Sequence, residues 1–212
     1  MKKYDLLIIG FGKGGKTLAK FASGQGKSVA VVEKSQKMYG GTCINKGCIP
    51  SKTLVHEGLA HGSFEQAFSR KSDVVNALNS KNYHNLADDN NINVLDFTAA
   101  FKSNNEVELL DENSEVQETL TAEDIVINTG AQPIIPSIEG VETSKHLYDS
   151  TGIMELATQP KRLVIVGGGY IALEFASMFA NFDTQVTVLE KHDDIMPKED
   201  KDIVAEVKKD LE

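Results

Sequence analysis

The sequence predicts an α/β fold in which one strand, glycine-turn, helix, strand unit occurs twice, with an antiparallel β-meander inserted between the copies. Three observations carry this reading. The apolar runs Tyr4 to Ile9 and Leu163 to Val166 have strand length, and each enters a glycine cluster followed by a helix-like stretch. Each unit then closes on a second apolar strand ending in glutamate, Val29 to Val32 before Glu33 and Val186 to Leu189 before Glu190; Gly10 to Gly167 and Glu33 to Glu190 are the same offset of 157 residues. Between the units, Asn, Ser and Asp turn signals separate short strand-like runs.

The first unit places Gly10-Phe11-Gly12-Lys13-Gly14-Gly15 between a strand and a helix predicted over Lys16 to Ser23. A GxGxxG turn in that context binds a dinucleotide for stated reasons. Gly10 permits the tight turn, Gly12 lets backbone approach a pyrophosphate, and Gly15 allows close helix packing. The helix N-terminus then faces the phosphates, and Glu33 can accept hydrogen bonds from a ribose. The second unit repeats the pattern through Gly167-Gly168-Gly169-Tyr170-Ile171-Ala172 and a helix reaching Ala180. Two such Rossmann-like units suggest two dinucleotides, the alternative being that one is a degenerate copy that binds nothing.

Between them, residues 52–87 read as helices with polar faces, and Arg70-Lys71 and His84-Asn85 as solvated surface. Strands are predicted over Ile92 to Phe97, Glu106 to Leu110 and Glu115 to Leu120, the texture of a small meander. A further buried strand is predicted over Glu123 to Asn128, ending in the turn Thr129-Gly130-Ala131. Pro136 to Pro160 connects the units, with a short helix expected over Asp149 to Leu156. Domain boundaries are drawn at 1–145, 146–160 (linker) and 161–212.

The 212 residues carry 41% apolar and 25% charged residues, enough to bury a core. A net charge of -9 sets nucleic acid aside, since neutralising phosphates takes clustered Lys and Arg. Leu6 to Ile9 is too short for a signal-peptide core, and no apolar run approaches membrane-spanning length. No membrane partner is expected, and the cytoplasm is the expected compartment.

The chemistry concentrates in Gly41-Thr42-Cys43-Ile44-Asn45-Lys46-Gly47-Cys48-Ile49-Pro50-Ser51-Lys52, which holds the chain's two cysteines. So sparing a use of cysteine excludes a disulfide-stapled scaffold, and a close pair suits a reversible disulfide. Such a pair needs a cation or helix start to keep one sulfur ionised, and Lys52 is the nearest candidate. Two other readings stay open: inert packing, and a metal site completed by His56 or His61.

The order of these parts, together with GGTCINKGCIPSK, closely resembles the class I pyridine nucleotide-disulfide oxidoreductases, the family of lipoamide dehydrogenase, glutathione reductase and mercuric reductase. Gly10 to Lys13, Met38-Tyr39, Lys52 to His56, Asn82 to Asp88 and Tyr148 to Gly152 look most like its bacterial reactive-chlorine-resistance branch, associated with copper(II) reduction. The resemblance implies that the first unit binds FAD, with Gly10, Gly12, Gly14 and Gly15 at the pyrophosphate, Glu33 on the adenosine ribose and Lys34 beside it. Gly41 and Thr42 would lie beside the flavin, and Thr129 and Gly130 would close over the cofactor. It implies further that Cys48 is the flavin-side thiol and Cys43 the interchange thiol, that Lys52 sits near the flavin ring and pairs with Glu174, and that Tyr170 gates the nicotinamide. Gly167, Gly169, Ile171 and Glu190 would complete the nicotinamide site.

The implied activity passes a hydride from NAD(P)H to FAD, and electrons then to the Cys43-Cys48 disulfide and on to a small-molecule disulfide or metal-ion acceptor. No resident metal is expected. Glu190 should bind a ribose 2'-hydroxyl and repel a 2'-phosphate, so NADH is expected over NADPH, with Lys191 and His192 pulling the other way. Family members continue beyond residue 212 with a flavin return segment and a C-terminal dimerisation domain. This chain is therefore expected to be the N-terminal part of a homodimeric enzyme, lacking that dimerisation domain, folding its sheet core but binding FAD weakly or not at all, and inactive alone. A redox-silent dinucleotide-binding module and a Cys/His metal-binding protein are the alternatives.

Overall fold

The computed structural model describes residues 2–211. It contains two compact units, Met1–Pro50 with Asp73–Ser137, and Ser51–Ser72 with Ile138–Glu212. In chain order the elements are β1 (Lys2–Ile9), α1 (Lys13–Gly24), β2 (Val29–Val32), α2 (Gly41–Asn45), α3 (Cys48–Leu59), α4 (Phe64–Ala87), β3 (Ile92–Leu95), β4 (Thr98–Phe101), β5 (Glu106–Leu110), β6 (Val116–Ile127), β7 (Arg162–Val166), α5 (Tyr170–Ala180), β8 (Gln185–Leu189) and α6 (Lys201–Leu211).

The first unit is built on a six-stranded sheet ordered β3-β2-β1-β6-β5-β4. β3, β2, β1 and β6 run parallel, and β5 and β4 return antiparallel. The parallel strands are apolar on both faces because both are covered. Leu6, Ile8, Val29 and Val31 bury against Ala19 and Ala22 of α1 and Leu86 of α4. Leu7, Ala30 and Val32 bury on the opposite face against Val107, Leu109 and Leu120 of the meander. Each of these leucine, isoleucine and valine side chains contributes about 1.5–3 kcal/mol on burial.

Three sequence-derived strand segments differ in the structure. Residues 92–95 do not join the meander; they pair parallel with β2, Val29 opposite Ile92, because Ile92 is drawn into the α1-side core. The segments predicted over 115–120 and 123–128 are one strand, since no turn residue interrupts Thr121-Ala122 and Ala122 is itself buried. β6 thereby serves both halves of the sheet, bonding β5 with its first part and β1 with its second.

In the second unit β7 and β8 form a parallel pair, Leu163 opposite Val186. One face meets α5, whose Phe175, Met178 and Phe179 bury with Leu54, Phe64, Phe68 and Met154. Val164, Val166 and Leu189 point the other way and are exposed. The helix predicted over 149–156 is a single 3-10 turn, Gly152–Glu155, set by Asp149, whose Oδ1 accepts from the N–H groups of Thr151 (3.0 Å) and Gly152 (2.7 Å). Lys71 was read as solvated surface; it is only 5% exposed, and its Nζ donates to the Met154 carbonyl at 2.7 Å. No helix among the described residues is long and apolar enough to cross a membrane.

Candidate functional site

The first glycine turn is shaped by contact with β6. Gly10 has φ +102°, and a Cβ there would meet the Asn128 carbonyl oxygen at 2.3 Å, so only glycine fits. At Gly12 and Gly15 an added Cβ would lie 2.8 and 2.6 Å from Asn128 Nδ2. The Asn128 carboxamide donates to the Gly10 carbonyl at 3.1 Å, which fixes the turn. Gly14 sits beside it on the first, exposed turn of α1. α1 begins at Gly12 with no side-chain cap, leaving its first N–H groups and the positive end of its dipole for an anion. The buried Glu33 carboxylate accepts from Phe11 N–H at 2.9 Å and Ser35 N–H at 3.1 Å, and a carboxylate retains further lone pairs for a ribose. Lys34, Thr129 and Gly130 are exposed around this turn. An uncapped helix start, a glycine turn with no room for side chains and an acid at the next strand end fit an FAD adenosine diphosphate.

The cysteine segment lies directly on that turn. Gly40 and Gly41 both take positive φ, +92° and +74°, and a Cβ on Gly41 would stand 2.6 Å from the Gly12 Cα. The double left-handed step brings α2 against α1. Thr42 and Cys43 follow inside α2, and Cys48 opens α3 after the Lys46-Gly47 link. Cys43 is partly buried, Cys48 is exposed, and both are thiols. The loop is buttressed from below: Asn45 Nδ2 donates to the Tyr39 and Gly41 carbonyls, both at 2.9 Å, and Asn79 of α4 donates to Asn45 Oδ1 at 3.0 Å. Tyr39 is buried and bonded to Asp96, and that burial and bond push its phenol well up.

The two sulfurs interact. A hydrogen bond with Cys48 pushes the Cys43 thiol up, partial burial adds to this, and the charges of Lys13 and Lys16 on α1 pull it back down. A dithiol that shares a proton between its sulfurs beside two ammonium groups is chemically equipped for thiol–disulfide exchange.

The second unit repeats the strand-to-turn and turn-to-glutamate bonds of the first, without a counterpart of the Asn128 contact among the described residues. Gly167 has φ +103° and its N–H donates to Leu189 at 2.7 Å; Gly10 N–H donates to Val32, also at 2.7 Å. Gly168 N–H donates to Glu190 Oε2 at 2.7 Å, as Phe11 N–H does to Glu33. These pairs preserve the 157-residue offset in three dimensions. Gly168 N–H, then His192, hold the Glu190 carboxyl down to about 2, and His192 Nδ1 lies 2.6 Å from Oε1. α5 starts at Gly169, again without a side-chain cap, and presents exposed Tyr170 and Ile171 on its first turn.

Also within the second unit, Lys52 Nζ and Glu174 Oε1 form an ion pair, and Ser51 Oγ donates to the same oxygen at 3.5 Å. Among the described residues no group of three or more His, Cys, Asp or Glu side chains could hold a metal ion. Sequence reading missed Asn128, Asn45, Asn79 and the Asn82–Lys16 bond. Asparagines carry no periodic signal; Asn45 lies inside the Gly41 to Lys52 stretch, Asn82 opens the Asn82 to Asp88 stretch and Asn128 precedes Thr129-Gly130, yet sequence position alone does not show the bonds they make.

The family described as pyridine nucleotide-disulphide oxidoreductase matches residues 4–212. The probable pyridine nucleotide-disulfide oxidoreductase RclA of Escherichia coli (strain K12) is 50% identical over 207 residues, covering 98% of this chain and 46% of the relative. A dihydrolipoyl dehydrogenase of Staphylococcus aureus is 36% identical over 224 residues with the same two coverages. Among solved structures, a Cu(II) complex of the HOCl-induced flavoprotein disulfide reductase RclA from Escherichia coli superposes with a TM-score of 0.95 at 49% identity, over 100% of this chain and 47% of that one. The chain spans about half the length of the relatives it matches.

Proposed function

Because the chain belongs to the pyridine nucleotide-disulphide oxidoreductase family, we propose that it carries the flavin-binding and redox-disulfide part of an NAD(P)H-dependent flavoprotein disulfide reductase. The observation that carries this is the seating of the Cys43/Cys48 loop on the Gly12 turn through the Gly40-Gly41 step. When bound, FAD supplies two-electron exchange between a nicotinamide and the sulfur pair.

The chain's own residues do the rest. Gly10, Gly12, Gly14 and Gly15 receive the pyrophosphate on backbone N–H groups, Glu33 with Lys34 beside it takes the adenosine ribose, and Gly41, Thr42, Thr129 and Gly130 border the cofactor. Cys48 is the thiol on the cofactor side and Cys43 the one that meets the acceptor. Oxidation of the pair forms one S–S bond and releases two electrons and two protons, enough to reduce one disulfide or two one-electron metal ions. The Cu(II) complex solved for the Escherichia coli relative favours a metal-ion acceptor. Lys52 and Glu174, an ion pair within the second unit, would serve the flavin as its charge pair. Gly167, Gly169, Tyr170, Ile171 and Glu190 take the nicotinamide cofactor, with NADH preferred because an ionised Glu190 repels a 2'-phosphate.

In this reading the working enzyme is a cytoplasmic homodimer, and residues 1–212 alone do not turn over. Thiol titration before and after a mild reductant tests the redox assignment. The expected result is two additional thiols on reduction of an air-oxidised sample, lost together in Cys43→Ser; no reducible bond would leave a redox-silent nucleotide-binding module.

A further inference from the structure

Lys16 lies one helical turn beyond the uncapped start of α1, its N–H bonded to the Gly12 carbonyl at 2.9 Å. Its ammonium is partly buried and bonded to Asn82 Oδ1 of α4. Asn82 is itself fixed: its Nδ2 donates to the Leu78 carbonyl at 2.6 Å, and its carboxamide would be 3.1 Å from a Cβ on Gly40. The Lys16 ammonium is thus clamped between α1 and α4, where the Gly40-Gly41 step turns into α2 and delivers Cys43. A lysine held by a neutral amide keeps its full charge for another partner.

The charged and titratable groups facing Cys43 can be named from each element. Cys48 faces it from α3, and Lys13 and Lys16 from α1. α4 places the uncharged Asn79 and Asn82 beside the loop. Lys46, on the link between α2 and α3, is exposed, as is Lys13. Lys16 is therefore the one cation among these whose position is set by partial burial and a fixed bond.

We propose that Lys16, anchored by Asn82, is a positioning residue that stabilises the Cys43 thiolate when that sulfur must attack, a role that rests on the redox reading given above. The Cys48 hydrogen bond keeps the proton on Cys43 in the resting dithiol, and the clamped ammonium offsets that effect. The linkage is reciprocal: partial burial, then Lys13, lowers the Lys16 pKa, and charge on Cys43 raises it.

The test is the pH dependence of Cys43 alkylation by iodoacetamide in the reduced 212-residue chain, read by mass spectrometry in a Cys48→Ser background. Removing one nearby charge in Lys16→Met should raise the midpoint of the rate–pH profile by about half a unit to one unit, slowing alkylation at neutral pH by about threefold. Lys16→Arg should restore the parent profile, and Asn82→Leu should shift it in the same direction as Lys16→Met. Circular dichroism monitors folding, and Asn82→Leu supplies the readout if Lys16→Met does not fold. An unchanged midpoint in the folded variants overturns the proposal, as does a shift that Lys16→Arg fails to reverse. Because the assay uses a reduced single-cysteine protein, it reads the Lys16 effect even if the Cys43/Cys48 pair proves unable to form a disulfide.

Discussion

Lys52 Nζ and Glu174 Oε1 form an ion pair across 122 residues of sequence, joining the first turns of α3 and α5 inside one compact unit. The Lys52 side chain is 68% exposed and that of Glu174 30%, so the pair is worth at most about 1 kcal/mol of stability. A contact of such small structural value between two motif residues points to chemistry. In the longer enzyme, Glu174→Gln should leave the urea midpoint within that margin while lowering turnover by about a hundredfold through lost alignment. Equal losses in stability and turnover would assign the pair to structure.

Gly41→Ala should be costly out of proportion to one methyl group. The position combines φ +74° with a Cβ 2.6 Å from the Gly12 Cα, so about 1–3 kcal/mol of backbone strain is expected. The clash also displaces α2 from the glycine turn, so flavin retained after desalting should fall in step with the stability measured by urea titration. Wild-type retention in a folded Gly41→Ala protein would show that the close approach is dispensable.

Asn128→Ala removes the carboxamide that lies against Gly12, Gly14 and Gly15 and donates to the Gly10 carbonyl. One lost hydrogen bond of this kind costs about 1 kcal/mol. Calorimetry should show that loss together with weaker FAD binding. A stability loss without a change in FAD affinity would mean the turn keeps its shape unaided.

Glu190 supplies a pH test. Its carboxyl is held near 2 by the Gly168 N–H and by His192, against an ordinary 4.5. Because the folded pKa is depressed, the stabilisation is fully present above about pH 4.5 and is lost as pH falls toward about 2. Glu190→Gln should flatten acid unfolding across that window and leave neutral stability less affected by pH. In the longer enzyme the same substitution should raise kcat/KM for NADPH relative to NADH, and an unchanged ratio would remove Glu190 from cofactor selection.

Much of this architecture could be read from residues alone because its signals are local. The two glycine turns, their closing glutamates and the 157-residue offset are spacing patterns, and they reappear as matched bonds: Gly10 to Val32 and Gly167 to Leu189, Phe11 to Glu33 and Gly168 to Glu190. What failed to show was set by tertiary context. Ile92 to Leu95 has the composition of a meander strand, and only the core above β2 draws it into the parallel sheet. Lys71 sits in a polar helix sequence, yet the Met154 carbonyl, the Glu155 carboxylate at 3.6 Å and the Phe68 ring hold its ammonium in the interior. The asparagines that brace the cysteine loop were invisible for the same reason: their partners lie 34 residues away for Asn79–Asn45 and 66 for Asn82–Lys16.

The most direct test of the central claim is an absorbance spectrum of the longer enzyme after FAD addition and desalting, followed through anaerobic dithionite reduction. Retained flavin that gains a band at wavelengths beyond its own absorption at two-electron reduction, absent from Cys48→Ser, is the predicted result, because it places the Cys48 sulfur against the flavin ring. Retained flavin with identical spectra in the wild type and Cys48→Ser would contradict the account.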